Sequence, residues 1–316
     1  MRKILVTGAQ GQIGSELVPA LRQRHGAEAV VATFHRKRPE SDEGLVEHLD
    51  STDARQLGDL LDRHGIGTIY HLAAMLSATG EADPQAAWDV NMGSLYAVLE
   101  AARARDCALF FPSSIGAFGP GTPLDDTPQN TLQRPNTIYG VSKVSGELLC
   151  DYYAHRFGLD ARGLRYPGLI SYVTPPGGGT TDYAVEIFYH ALRDGRYTCF
   201  LAADTRLDMM YMPDATRAAI ALMEADPATL THRNAFNVTA MNVTPAELAD
   251  AIRIHIPNFT IAYDVDPVRQ AIAESWPNSM DDSEARAQWG WAPQYDLAGM
   301  VADMLTKLDS EHGDSP

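Results

Sequence analysis

The stretch Thr7-Gly8-Ala9-Gln10-Gly11-Gln12-Ile13-Gly14 constrains the fold more than any other in the chain. An apolar run, Ile4-Leu5-Val6, leads into it, and an amphipathic stretch from Ile13 to Arg24 leads out. That order reads as strand, tight glycine turn, helix. Glycine lets the backbone turn sharply and approach a ligand closely. The helix start that follows offers unpaired N–H groups and the positive end of a dipole, a seat for a pyrophosphate. Three glycines alone are weak evidence, but between a strand and a helix they mark a dinucleotide-binding unit.

The rest of the first half repeats the alternation. Val30–Phe34, Val46–Leu49, Thr68–Leu72, Ala108–Pro112 and Ala161–Tyr166 read as strands. Helical patterns cover Arg55–Arg63, Pro84–Arg105 and Tyr139–Phe157. Short apolar strands separated by helices predict an α/β fold with a doubly wound parallel sheet of the Rossmann type. After Pro167 the pattern changes to a Pro-Gly loop and four helices, Tyr183–Arg193, Ala215–Glu224, Pro245–His255 and Leu297–Leu308. The expected division is a dinucleotide-binding part, residues 1–167, and a smaller, mostly helical substrate-binding annex, residues 168–316. Short strands near Met209–Tyr211 and Phe236–Val238 are expected to return to the main sheet.

Composition excludes several partners. Among 316 residues the formal net charge is −16, which argues against nucleic acid and anionic membranes. No apolar run reaches spanning length. Cys107, Cys150 and Cys199 are scattered, so neither a disulfide framework nor a zinc site is expected. His71 and His190 stand alone and read as structural, and no metal is called for. Met-Arg-Lys runs straight into a strand, so a reducing cytoplasm is the expected compartment.

Two further constellations carry chemistry. Tyr139 and Lys143 lie four apart on a helix and share a face. An ammonium beside a phenol favours phenolate, which can take a proton near neutral pH. Ser113 and Ser114 stand just past the fifth strand, at the sheet edge where open α/β folds bind ligands. Each has a plainer reading, a solvated helix face and a helix cap.

With all three in this order, the chain resembles the extended short-chain dehydrogenase/reductase family, whose members carry a TGxxGxxG turn, a strand-end Ser/Thr and a YxxxK helix. His71-Leu72-Ala73-Ala74, Asn91 and Tyr166-Pro167-Gly168 look like further family positions. Within the family, Met75–Glu81, Gly177–Phe188, Asp204–Met212, Ser275-Trp276-Pro277 and Trp289-Gly290-Trp291 are similar to the short-chain-type L-threonine 3-dehydrogenases. That resemblance implies oxidation of the threonine β-hydroxyl to 2-amino-3-oxobutyrate with NAD. It implies Tyr139 as base, Lys143 lowering its pKa and holding the ribose hydroxyls, and Ser114 steadying the reacting oxygen. Cofactor contacts would come from Thr7, Gly8, Gly11, Gln12, Ile13, Gly14, Asp50, Leu72, Ala73, Ala74, Asn91, Tyr139, Lys143 and Tyr166. Substrate contacts would come from Ser77, Ser113, Ser114, Tyr139, Gly178, Gly179, Thr180, Thr181 and Trp276. The long helices holding Asn91 and Tyr139 are those that such families pair into a homodimer.

Two questions stay open at this level. NAD-selective folds often place an acid at the end of the second strand. Here that strand runs into Phe34-His35-Arg36-Lys37-Arg38, which leaves NADP open. The resemblance also leaves room for a nucleotide-sugar epimerase or dehydratase, with Arg206 to meet a diphosphate, and for a non-catalytic dinucleotide sensor.

Overall fold

A computed structural model describes residues 2–39, 44–177 and 179–313. The apolar runs of the first half form β1 (Lys3–Thr7), β2 (Val30–Phe34), β3 (Leu45–His48), β4 (Ile66–His71), β5 (Ala108–Ser114) and β6 (Ala161–Tyr166). Between them lie helices α1 (Gly14–His25), α2 (Ala54–His64), α3 (Ser77–Ala82), α4 (Pro84–Arg105) and α5 (Ile138–Phe157). Local chemistry sets the ends of these helices. The Asp53 carboxylate accepts from the N–H groups of Arg55 and Gln56 to start α2, and Gly65, at φ +62°, ends it. Thr137 caps α5 by accepting from the Gly140 N–H.

The second half continues with β7 (Gly168–Ile170), α6 (Tyr183–Asp194), β8 (Arg196–Cys199), β9 (Leu207–Tyr211) and α7 (Met212–Glu224). Then come β10 (Phe236–Asn237), β11 (Met241–Val243), α8 (Pro245–His255), β12 (Thr260–Tyr263), α9 (Pro267–Ala273), α10 (Ser283–Trp289) and α11 (Leu297–Gly313).

Seven parallel strands form the main sheet in the order β10-β6-β5-β4-β1-β2-β3, a doubly wound Rossmann-like arrangement. Its centre is apolar on both faces, as a sheet covered on both sides requires. Leu5, Ile69 and Phe111 pack with side chains of α2, α4 and α5. Ile4, Val6, Tyr70 and Phe110 pack with those of α1 and α7. A third core lies under the second half, around Tyr183, Phe188, Leu248 and Met300.

The strands expected to return to the main sheet divide. Phe236–Asn237 pairs with β6 and does so. Leu207–Tyr211 does not; it forms a separate three-stranded sheet between β7 and β11. A two-stranded sheet of β8 and β12 adds more strand to a half read as mostly helical. These strands are too short for periodicity to reveal, and their partners are far apart in sequence. The last helix, expected to stop at Leu308, continues to Gly313. Among the described residues, no helix is long and apolar enough to cross a membrane.

Candidate active site

Strand order reverses direction between β1 and β4, and ligands of such sheets bind at the carboxyl ends beside that point. The glycine turn sits there. Gly8 has φ +65°, and a Cβ on it would lie 2.7 Å from the Ala73 N. A Cβ on Gly14 would lie 2.5 Å from the Gly8 carbonyl oxygen. Side chains at either position would fill the cradle and push α1 off the sheet. No side chain caps the start of α1, so its dipole end faces whatever occupies the turn. The cradle and bare helix start fit a dinucleotide pyrophosphate.

Thr7 takes a bracing role. Its hydroxyl bonds His71 Nδ1 at 2.8 Å, and His71 Nε2 meets the Ser94 hydroxyl at 3.1 Å. Burial pushes the His71 imidazole down to about 3, so it stays neutral. This supports the structural reading of His71, which ties the first turn to α4. Asn91 braces as well: its side chain bonds the Met75 N–H and carbonyl, and donates to the Ser142 hydroxyl. That fixes the segment after β4, and Ala73, Ala74, Asn91 and Lys143 line one narrow cleft.

A cavity of about 150 Å³ opens at this edge. Gln12, Ile13, Leu72 and Ala74 line it from the cofactor turn, and Tyr139, Lys143, Ser113 and Ser114 from the sheet and α5. Ser77, Tyr166, Gly179, Thr180, Thr181 and Trp276 complete the wall. The predicted catalytic residues and the predicted substrate contacts among the described residues converge there, whereas Thr7, Gly8, Gly11, Gly14, Ala73 and Asn91 of the expected cofactor set do not line it. Asp50 is remote from this cavity, at the exposed end of β3, where its carboxylate lies 3.9 Å from His35 Nε2. No acid stands at the end of β2 itself; the carboxylate beside His35 there is that of Asp50, from the turn after β3. Gly178 lies outside the described residues.

Several groups are already engaged. The Ser113 hydroxyl donates to the Glu147 carboxylate, behind the cavity wall. The Gly179 N–H, read as a donor to substrate, donates to Asp182 at 2.7 Å. The Tyr166 hydroxyl donates to the Ala215 carbonyl, leaving only its ring on the cavity. Trp276 belongs both to the core of the second half and to the cavity wall. Arg206 is bonded to Asn242 and Glu247 and does not line the cavity.

The charge balance differs from the expected one. Desolvation pushes the Tyr139 phenol up to about 12, and the Ser114 hydroxyl bonded to it pulls the other way. Lys143 does not hold it down, because its ammonium donates to the Pro112 carbonyl at 2.7 Å and sits 5.3 Å from the Tyr139 ring centre. Burial also brings Lys143 down to about 8, opposed by the Glu147 charge.

Sequence reasoning named no role for Leu76, Leu169 or Asp182, which lie on the lining, and placed Gly168 only within a family loop. Gly168 carried a signal: it follows Tyr166-Pro167 at the sheet edge. A Cβ there would lie 2.3 Å from Met209 Sδ and 2.8 Å from Thr181 Cγ2, so its absence lets Thr181 approach β7.

Comparison with known proteins agrees with this geometry. Residues 4–239 match the NAD dependent epimerase/dehydratase family. An uncharacterized epimerase/dehydratase of Staphylococcus saprophyticus is 52% identical over 314 residues, covering 98% of each chain. The crystal structure of L-threonine dehydrogenase from Clostridium difficile superposes with a TM-score of 0.97 at 54% identity, covering 98% of each chain. A monomeric L-threonine 3-dehydrogenase from a metagenome gives 0.94 at 44% identity, covering 98% of this chain and 99% of its own.

Proposed function

Because the chain belongs to the NAD-dependent epimerase/dehydratase family, whose cofactor is NAD, we propose that it is an L-threonine 3-dehydrogenase. In this reading it oxidises the β-hydroxyl of L-threonine to 2-amino-3-oxobutyrate. The observation that carries the reading is the cavity: Tyr139, Lys143 and Ser114 face Thr180, Thr181 and Trp276 across about 150 Å³, with Lys143 the only cation on the lining among the described residues. A small neutral zwitterion suits that lining. A nucleotide diphosphate would want more positive charge, and Arg206 is held elsewhere by Glu247.

NAD, held on the glycine turn, supplies the hydride acceptor. Tyr139, once deprotonated, accepts the hydroxyl proton of the substrate. Ser114 donates to the same oxygen and holds it in line as it becomes a carbonyl. Lys143, its ammonium 5.3 Å from the Tyr139 ring centre, would supply positive charge near the phenolate and would hold the ribose hydroxyls of the bound cofactor. Thr180 and Thr181 offer hydroxyls to the substrate carboxylate just before α6, and Ser77 and Trp276 close the pocket. Residues 1–167 carry the cofactor in this reading and residues 168–316 complete the substrate side. NAD over NADP is supported by the family match, not by a residue at the end of β2.

The reading includes a homodimer in a reducing cytoplasm. Val141, Leu148 and Tyr152 form an exposed apolar stripe along α5, with Leu148 62% exposed, and Trp88 and Tyr96 extend it on α4. Light scattering at micromolar concentration should give twice the chain mass; a monomer mass would remove the dimer and leave the activity reading intact. The activity itself is tested by following nicotinamide absorbance with NAD and L-threonine at pH 7 to 9, beside L-serine and a nucleotide sugar. Reduction with L-threonine is expected; its absence across that range would sink the assignment.

A further inference from the structure

Glu147 stands four residues beyond Lys143 and eight beyond Tyr139, on the same face of α5. It is 3% exposed, and so deeply buried a carboxylate needs partners. It has them on every side. Arg165 on β6 binds it at both oxygens, at 3.0 and 2.8 Å. Gln133 donates to it at 2.9 Å, and so does the Ser113 hydroxyl. Arg165 is anchored in turn by the Gln129 carbonyl and by Asn237 on β10.

The strand residues gripped by α5 are consecutive. Lys143 holds the Pro112 carbonyl, Glu147 holds Ser113, and Tyr139 faces Ser114. A buried ion pair contributes little to stability over an apolar pair of the same volume, so its use in fixing geometry is the better account. We propose that Glu147 is a positioning residue: anchored by Arg165, it sets the end of β5 against α5 through Ser113 and keeps an anion one helical turn from Lys143. Ser113 then works through Glu147 instead of touching substrate.

Among the neighbours of Lys143, Glu147 is the carboxylate that favours its charged form, while the direct ion pair of Glu147 is with Arg165. From α5 Lys143 is faced by Tyr139, Glu147 and Cys150, and from β4 by His71. Burial holds His71 neutral and raises the Cys150 thiol. The side chain of α4 in this cleft is the neutral Asn91, and β5 brings Phe111, whose ring lies 4.9 Å from the ammonium. Asp151 and Arg165 also interact with Glu147. Substituting Glu147 therefore removes the carboxylate that favours the charged form of Lys143.

The threonine assay in this test rests on the dehydrogenase reading; NADH titration does not. Ser113→Ala deletes one bond and leaves the ion pair. It should lower kcat about tenfold while the KM for threonine and the NADH affinity stay within about twofold. A raised KM with kcat kept would make Ser113 a substrate contact and overturn the proposal. NADH binding, read by fluorescence, should weaken in the wild type as pH rises through about 8, where Lys143 loses its proton. In Glu147→Gln that transition should fall by about one pH unit, with kcat lowered about a hundredfold. A Glu147→Gln protein with unchanged transition and kcat, whatever its melting temperature, would refute it. If Glu147→Gln fails to fold with Arg165 unpaired, Ser113→Ala decides alone. A wild type inert toward threonine would sink the substrate reading, and the NADH transition would still judge the role of Glu147.

Discussion

The two walls of the cavity are built differently. On one, Tyr139 and Lys143 sit in the first two turns of α5 and Ser114 at the end of a central strand; Lys143 is bonded to the Pro112 carbonyl, Ser114 to the Gly116 N–H, and the Tyr139 phenol to Ser114. On the other, Thr180 and Thr181 stand on a short segment ahead of α6. They are held by a cap from Asp182 to Gly179 and by the space that Gly168 leaves open. The first wall is the environment in which burial can shift a pKa far from its usual range. The second achieves closeness to substrate by omission of side-chain bulk. A wall of regular elements suits proton transfer, where fractions of an ångström matter, and a wall of turns suits recognition.

The sharpest way to break this contrast is Tyr139→Phe. It leaves the helix and the cavity shape intact and removes the proton acceptor. Turnover should fall about a thousandfold or more while NADH affinity, by fluorescence titration, changes by less than about threefold. Activity near the wild-type level would move the base elsewhere.

Gly168→Ala attacks the opposite wall. The added methyl would meet Met209 and Thr181 well inside contact distance, so β7 or the Thr181 segment must shift. The cost of such overpacking is about 1 to 3 kcal/mol. The KM for threonine should rise about tenfold and kcat fall less than KM rises. Steady-state kinetics in which kcat alone falls would say that this wall also serves the chemistry.

The pH profile separates the walls without mutation. With the Tyr139 phenol up to about 12, little phenolate exists at neutral pH, and its fraction grows about tenfold per pH unit. Log kcat/KM for threonine should climb with a slope of about one from pH 6 to 7.5. It should flatten near 8, where Lys143 becomes neutral. A flat profile from 6 to 7.5 would mean that proton transfer from substrate does not limit the reaction.

The same contrast decides what could be read from residue order. The glycine turn, the helix bearing Tyr139 and Lys143, and the serines after β5 are local patterns, and the parallel sheet follows from their alternation. What stayed hidden depends on distant partners. Leu207–Tyr211 looks like any short apolar strand; only its neighbours Gly168–Ile170 and Met241–Val243 place it outside the main sheet. Ser113 and Ser114 look equivalent in sequence, yet Glu147, 34 residues on, claims the first. Arg206 looks available for an anion until Glu247 is seen beside it. Tyr139 and Lys143 share a face as their spacing says, but the Pro112 carbonyl draws the ammonium aside.

The smallest expected effect concerns how the recognition wall is held in place. Asp208 on β9 is 1% exposed and accepts from the Met280 N–H at 2.9 Å and from the Thr239 hydroxyl. It thereby ties β9 to the chain just past Trp276. Burial pushes its carboxyl up to about 7. In the unfolded chain an aspartate titrates near 3.9. The folded protein therefore binds the extra proton between those values, so the stabilisation from Asp208 is complete below about pH 4 and is lost as pH rises through about 7. Asp208→Asn replaces a titrating group with one of the same shape that cannot ionise. Melting temperatures of the two proteins should lie close at pH 5 and diverge by pH 8, with the wild type lower by an amount on the order of 1 kcal/mol. Glu16, also pushed up to about 7 by burial, titrates in the same window but is common to both proteins, so their difference isolates Asp208. If the two curves stay parallel from pH 5 to 8, Asp208 is ionised throughout and holds the recognition wall as an anion.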